Sequence, residues 1–255
     1  MSNPFAARRA AFRALHAEGC FALPNPWDAG SAKRLEKLGF KALASTSAGM
    51  AWAMGKDDGQ VTRDEVIAHL RYLCAVTDLP VNADFENGFA ETPEGMAESV
   101  TLAIEAGVAG LSIEDWSGTG LYDLPVAVER LKAARAAIDA SGQDVMLVGR
   151  TEGYLRGTRD LAPTLERLKA YAAAGADCLY APAVTDVDEI RAIVEAVAPK
   201  PVNVLFWGAQ MSVESLGALG VRRVSTGGSL AAAAWAGFDA VAKRLAEEGR
   251  LAPKP

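Results

Sequence analysis

Apolar and polar positions along this chain follow two alternating rhythms. Short apolar runs of strand length end in polar or acidic residues, and between them lie helix-length stretches with apolar residues on one face. Residues 4–17 predict an amphipathic lead-in helix. Cys20-Phe21-Ala22-Leu23-Pro24 predicts a first strand, ended by Asn25-Pro26-Trp27-Asp28, and Asp28 is placed to cap a helix over 29–38. Residues 40–44 predict the next strand, Ser45-Thr46-Ser47-Ala48-Gly49 a small polar turn, and 50–60 a loop without period. Thr62-Arg63-Asp64-Glu65 is a capping box opening a helix that runs to Val76. Further helices are predicted over 93–106, 126–140, 161–174, 186–197, 212–219 and 230–248, and the strands before them begin at Val81, Ala109, Val145, Ala176, Pro201 and Val221.

Four helices end alike, at Leu38-Gly39, Ala106-Gly107, Ala174-Gly175 and Leu219-Gly220, each followed by a strand. A glycine in the left-handed conformation closes such a helix and turns the chain back to the sheet. About eight strand–helix pairs with no compositional break predict an α/β fold, a single (β/α)8 TIM-type barrel domain over 1–255 with an N-terminal lead-in helix. The alternative is a doubly wound open sheet, but no G-x-G-x-x-G follows the first strand.

In a barrel the chemistry sits on the loops that follow the strands. Those loops carry Asn25 and Asp28; Ser45, Thr46 and Ser47; Asp84 and Glu86; Glu114 and Asp115; Arg150 and Glu152; Asn203; Ser225 and Thr226. The set is rich in oxygen ligands, holds one arginine, and lacks histidine and cysteine. Carboxylates that face each other repel unless a cation lies between them, and hard oxygen donors suit Mg²⁺ or Mn²⁺ rather than zinc. Asp84 and Glu86 end one strand and Glu114 the next, which suggests a divalent metal site; as a turn acid and a solvated acid they would need none. Arg150 can grip a substrate carboxylate in bidentate fashion, or pair with Glu152 or Glu114 inside the barrel mouth. The Ser45–Gly49 turn offers N–H groups and hydroxyls to a second carboxylate. Asp115 is expected to partner a nearby backbone or basic group, Asn25 and Asp28 to serve as turn and cap. His16 and His69 lie away from the strand ends and are expected at the surface, with Cys74 and Cys178 in the core.

The chain has 255 residues, half of them hydrophobic, enough for one sizeable core. A net charge of −6 argues against a nucleic-acid surface. No apolar run is long enough to span a bilayer, and the first residues lack the apolar core of a signal peptide. Three scattered cysteines form neither a metal spacing nor a disulfide framework, so a cytoplasmic location is expected.

Asp84-Phe85-Glu86-Asn87-Gly88-Phe89 resembles a D-x-D-x-G-Y stretch, Ser112-Ile113-Glu114-Asp115 an L-E-D segment, and Gly149-Arg150-Thr151-Glu152 an A-R-T-[DE], and together these motifs resemble those of the isocitrate lyase/phosphoenolpyruvate mutase superfamily. Asn25-Pro26-Trp27-Asp28-Ala29-Gly30-Ser31-Ala32 and Gly55-Lys56-Asp57-Asp58 also fit, in order, so the likeness runs from about Leu23 to Asn203. The resemblance implies a (β/α)8 barrel in which Asp84, Glu86 and Glu114 gather Mg²⁺ and Asp58 reaches the same site from its loop. It implies that Arg150 holds a substrate carboxylate in a pocket lined by Ser45, Thr46 and Ser47, with Trp27 and Asn203 also in contact with substrate. Arg150, Asp58 and Glu114 are thus the implied catalytic residues, and a small 2-oxo or 2-hydroxy carboxylate the implied substrate. The implied reaction is Mg²⁺-dependent carbon–carbon bond cleavage or oxaloacetate-type decarboxylation through a metal-bound 2-oxo acid enolate. Phosphonopyruvate P–C chemistry and a weakly active 2-oxo acid-binding protein are the alternatives. The family forms homodimers or homotetramers in which the last helix can be exchanged between subunits. One departure stands out. The lyases' K-[KR]-C-G-H loop is replaced here by Trp116-Ser117-Gly118-Thr119-Gly120-Leu121-Tyr122-Asp123.

Overall fold

The computed structural model describes residues 4–207 and 211–251. Eight strands form one parallel sheet: β1 (Phe21–Leu23), β2 (Leu43–Ala44), β3 (Val81–Asp84), β4 (Gly110–Glu114), β5 (Met146–Arg150), β6 (Cys178–Tyr180), β7 (Val202–Leu205) and β8 (Arg223–Ser225). Their order is β1-β8-β7-β6-β5-β4-β3-β2, so β8 returns to β1 and sets Phe21 opposite Arg223. The seam between β1 and β2 is held by the Ala44 N–H donating to Pro24 O at 3.0 Å and by Asn25 Nδ2 donating to Ser45 O at 2.7 Å. The result is a nearly closed (β/α)8 TIM-type barrel, the architecture the alternating pattern predicts; an open sheet would hold β1 and β2 at opposite edges.

The outer ring comprises α2 (Ala29–Lys37), α3 (Ser47–Ala53), α4 (Arg63–Val76), α5 (Pro93–Ala106), α6 (Leu124–Ser141), α7 (Leu161–Ala173), α8 (Val187–Val197), α9 (Val213–Ala218) and α10 (Ser229–Glu248), after a lead-in helix α1 (Ala6–Leu15). Local chemistry sets the helix ends. Asp28 and Thr62 cap α2 and α4 in reciprocal boxes with Ser31 and Glu65. Gly39, Gly107, Gly175 and Gly220 all take positive φ, between 86° and 103°.

Two local expectations are corrected. Residues 45–60 are not all loop: Thr46 accepts from the Gly49 N–H and starts α3, whose Met50 and Ala51 turn inward. Seven residues are too few to show a helical period. The strand expected over 40–44 shrinks to Leu43–Ala44.

The apolar core has two layers. Leu70, Val100, Ile104, Leu131 and Leu168 pack between the sheet and its helices. Inside the barrel, Leu23, Ala44, Met146, Val148 and Cys178 meet Phe12, which α1 inserts from the amino ends of the strands. Gly110 makes room for this plug: a Cβ there would lie 2.8 Å from both Asn82 Oδ1 and Phe12 Cε1. Arg9 anchors α1 by donating from Nε to Val108 O and from Nη2 to Ile104 O, at 2.9 and 2.8 Å. His16, at the end of the same helix, is only 7% exposed, with its ring edge-on to Phe12 and Phe21. It is therefore not a surface residue, and His69 is also largely shielded, because helix packing rather than local sequence decides their burial. Cys74 and Cys178 are buried as expected. Along α10 only Ala231 is buried, leaving Trp235, Phe238, Val241 and Leu245 open.

Candidate active site

The carboxyl ends of β3, β4 and β5 bring Asp84, Glu114 and Arg150 together. Arg150 Nη1 lies 3.1 Å from Asp84 Oδ1 and 2.9 Å from Glu114 Oε1, while its Nε donates to Glu152 Oε1 at 2.6 Å. The guanidinium also sits over the Tyr180 ring, 5.2 Å from its centre. Burial works to lower the arginine's pKa, but Glu114, Glu152 and Asp84 more than offset it and hold the group charged. Burial raises the Glu114 pKa well above the usual carboxylate range; Arg150 opposes this, and Glu152, Asp84 and Glu86 add to it. Each acid beyond the first thus crowds negative charge into a closed space.

Backbone and hydroxyl groups fix Asp84. Its Oδ2 accepts from the Ser47 N–H at 2.9 Å and from Ser47 Oγ at 3.1 Å, and its own N–H donates to Ser45 Oγ at 2.8 Å. The turn that follows is tight: Glu86 has φ 45°, Gly88 78° and Phe89 53°. Positive φ at a non-glycine residue is strained and persists only where the surroundings impose it. Here the buried Phe85 stacks edge-on with Phe89 at 5.4 Å, and Arg130 Nη2 donates to Asn87 O at 2.5 Å. The turn carries Glu86 into the site. Its Oε1 is buried with no hydrogen-bond partner, and its pKa is raised to about 7 by burial and by the nearby Asp84 and Asp58.

A cavity of about 490 Å³ opens over these groups, with Ser47, Asp58, Glu86, Glu114, Arg150 and Arg156 among its lining. Asp58 reaches it from an exposed loop. A larger groove of about 590 Å³ lies outside, lined by Lys33, Arg34 and Lys37 of α2, away from the strand ends. Ser45 faces a much smaller inner cavity of about 30 Å³ beneath the site, beside Asn82, Arg223 and Ser225.

Three of the expected substrate contacts lie elsewhere. Thr46 is buried and spends its hydroxyl on the α3 cap. Asn203 sits inside the barrel, donating to Ser225 Oγ and accepting from Arg223 Nε, both at 3.0 Å. Trp27 is half-buried behind α3, with its Cβ 2.9 Å from where a Gly49 side chain would start. Asp115 turns away from the cavity: its carboxylate accepts from Thr151 Oγ1, the Glu152 N–H and Tyr171 OH at 2.8, 2.8 and 2.6 Å, and pairs with Arg167 at 3.1 Å. Arg156 lines the cavity without having stood out in the sequence. The one available signal was its i,i+4 spacing from Glu152, to whose Oε2 its Nε lies 3.3 Å away.

The donor set suits a hard divalent cation. It is all oxygen and carries more carboxylates than cations, and Glu86 Oε1 is a buried acceptor in want of a partner. Among the described residues no three histidine, cysteine, aspartate or glutamate side chains already surround one point, since Arg150 occupies oxygens of Asp84 and Glu114.

A parallel barrel with acids and an arginine at the carboxyl ends of its strands defines a class of enzyme, and comparison with known proteins narrows it. Residues 12–246 match the family model described as phosphoenolpyruvate phosphomutase. The fold matches a crystal structure from Burkholderia cenocepacia described as that of a lyase/mutase, with a TM-score of 0.94 and 47% identity, covering 98% of this chain and 92% of that one. An uncharacterised protein of Mycobacterium tuberculosis is 35% identical over 85% of this chain and 81% of its own length. The 2-methylisocitrate lyase of Escherichia coli is 30% identical over 78% of this chain and 70% of its own. The chain belongs to the phosphoenolpyruvate phosphomutase family, within the isocitrate lyase/phosphoenolpyruvate mutase superfamily of lyases and mutases. Among the described residues no helix is long and apolar enough to cross a membrane.

Proposed function

We propose that this protein is a Mg²⁺- or Mn²⁺-dependent lyase that breaks a carbon–carbon bond of a small carboxylate. A 2-oxo acid that loses CO₂ leaves a 2-oxo acid enolate. A 2-hydroxy acid gives up its hydroxyl proton to become a 2-oxo acid, while the bonding pair departs with the other fragment as that fragment's enolate. The observation that carries the reading is the convergence of Glu86, Glu114 and Arg150 on one cavity, with Asp84 held against Arg150 at 3.1 Å and Glu86 Oε1 buried and unpartnered. Asp84, Glu86 and Glu114 would hold the cation, which when bound supplies Lewis-acid stabilisation of the charge that develops on the enolate oxygen.

The chain's own groups do the rest. Ser47 fixes the Asp84 carboxylate through two donors, so that its orientation is set before substrate arrives. Arg150, held in plane by Glu152 and backed by Tyr180, grips the substrate carboxylate after exchanging one of its internal carboxylate partners. Asp58 stands at the outer edge of the cavity, where loop closure would bring it over the substrate and exclude water. The apolar residues left open along α10 support a homodimer or homotetramer.

A substrate panel tests the reading. Pyruvate or another 2-oxo acid is released from 2-methylisocitrate, a related 2-hydroxy acid, or oxaloacetate with Mg²⁺, and EDTA abolishes the release. Turnover of phosphonopyruvate alone would replace this reading with P–C chemistry. Tight 2-oxo acid binding without turnover of any member would replace it with a binding protein.

A further inference from the structure

We infer that Arg156 is a specificity-determining residue: a pre-set anchor for a second anionic group, at the far end of the substrate from Arg150. The inference rests on the reading of the cavity as a 2-oxo acid site and adds to it what the substrate's other end must carry.

Two arginines line the cavity, Arg150 and Arg156, and they differ in what they have free. Arg150 is nearly enclosed and engages three carboxylates. Arg156 has a side chain 37% exposed, and Glu152 is its one carboxylate partner among the described residues. That contact runs from Nε to Glu152 Oε2 at 3.3 Å, and Oε2 is otherwise a buried acceptor without an aligned hydrogen bond. The pairing is therefore electrostatic and loose, and the terminal nitrogens of Arg156 have no hydrogen-bond partner among the described residues.

The guanidinium is nonetheless held in place. Its carbon sits 4.7 Å from the centre of the Trp116 ring, on the loop that replaces the lyases' Lys-Cys-His segment. Trp116 is braced in turn by its bridge to Leu121, which folds the loop back on itself. Stacking on one side and Glu152 on the other remove much of the freedom an exposed arginine would lose on binding. The edge bearing the terminal N–H groups stays open, and that edge suits a planar carboxylate. Glu152 spans both arginines, Oε1 to Arg150 and Oε2 to Arg156, so one buried carboxylate sets the two grips relative to each other. The altered loop accordingly provides the shelf for an anchor instead of an acid/base group.

Calorimetric binding with Mg²⁺ to the whole protein tests this, with 2-oxoglutarate and 2-oxoadipate against the monoacids of equal length, 2-oxopentanoate and 2-oxohexanoate. The wild-type protein binds at least one diacid more tightly than its matched monoacid. Arg156→Gln weakens that diacid by about 10- to 100-fold, the loss of one charge-assisted pair, and leaves the monoacids unchanged. Arg156→Lys, which keeps the charge and loses the fork, restores part of the difference. Equal affinity for diacid and monoacid in the wild-type, or equal weakening of both by Arg156→Gln, overturns the anchor while the 2-oxo acid site stands. If no 2-oxo acid binds the wild-type at all, the reading of the site fails and the anchor fails with it.

Discussion

Glu114 and Arg150 are partners in the β4–β5 register, and their side chains meet at 2.9 Å in the barrel mouth. The sheet itself therefore aims the acid at the arginine. Removing one partner of a buried pair strands the other, so Glu114→Ala would mix a folding defect with a catalytic one. Glu114→Gln keeps the volume and the Oε1 acceptor while removing the charge. It should leave the fold intact by circular dichroism and lower metal-dependent turnover by about 100-fold or more, the scale expected when a charged group is lost from a preorganised site. Unchanged turnover would remove Glu114 from the site.

The same strand ends show how much is legible without the fold. Apolar runs of strand length, each followed by acids or an arginine, place β3, β4 and β5 and the groups at their ends. Helix α5 is bounded correctly because Pro93 and Gly107 mark both its ends chemically. What stays hidden depends on contacts distant in sequence. Helix α3 is too short to show a period, and its cap is one hydroxyl. His16 is buried because α1 plugs the barrel, a fact of packing. Asn203 looks like a strand-end ligand, yet Arg223 and Ser225 hold it inside. Arg156 lies in a loop with no rhythm, and its partners emerge only when Trp116 folds over it.

Asp115 illustrates a role that sequence places only in outline. Its partners Arg167 and Tyr171 lie on α7, 52 and 56 residues away, and it also holds the Glu152 N–H and Thr151 Oγ1. Four donors converge on one carboxylate, so Asp115→Asn points an amide N–H₂ at a donor. Unfolding by urea should show a loss of about 3 kcal/mol, as for a broken buried charge pair. Because Asp115 also seats Glu152, turnover should fall along with stability. A variant as stable as the wild-type would mean the network is slack.

A divalent cation should stabilise the protein even without substrate. Asp84, Glu86 and Glu114 crowd negative charge around one unpartnered buried oxygen, Glu86 Oε1. A ligand that binds only the folded state adds stability by mass action, about 2.7 kcal/mol at a hundredfold excess over its dissociation constant. EDTA-treated protein should therefore melt at a higher temperature when Mg²⁺ or Mn²⁺ is added. Glu86→Gln removes a charged donor and should shrink that gain. A melting temperature indifferent to both cations in the wild-type protein would defeat the metal site without reference to any substrate.

The buried histidines predict an acid limb to stability. Burial, with Arg223 adding to it, lowers the His16 pKa from its ordinary 6.5 to about 3, and burial lowers that of His69 to about 4. Between the unfolded and folded values the unfolded chain binds more protons, so stability rises with pH there. His16 thus contributes fully above pH about 6.5, and its contribution drains away as pH falls toward 3, at most about 1.4 kcal/mol per pH unit. Its Nδ1 lies 2.8 Å from Phe12 O and its ring packs edge-on against Phe12 and Phe21, so phenylalanine at this position keeps the packing and removes the titration. Denaturant unfolding of wild-type and His16→Phe at intervals from pH about 7 to about 4.5 isolates the effect, since carboxylates contribute equally to both. The variant's stability should fall less steeply over that range, and parallel curves would show that His16 is not held neutral by the fold.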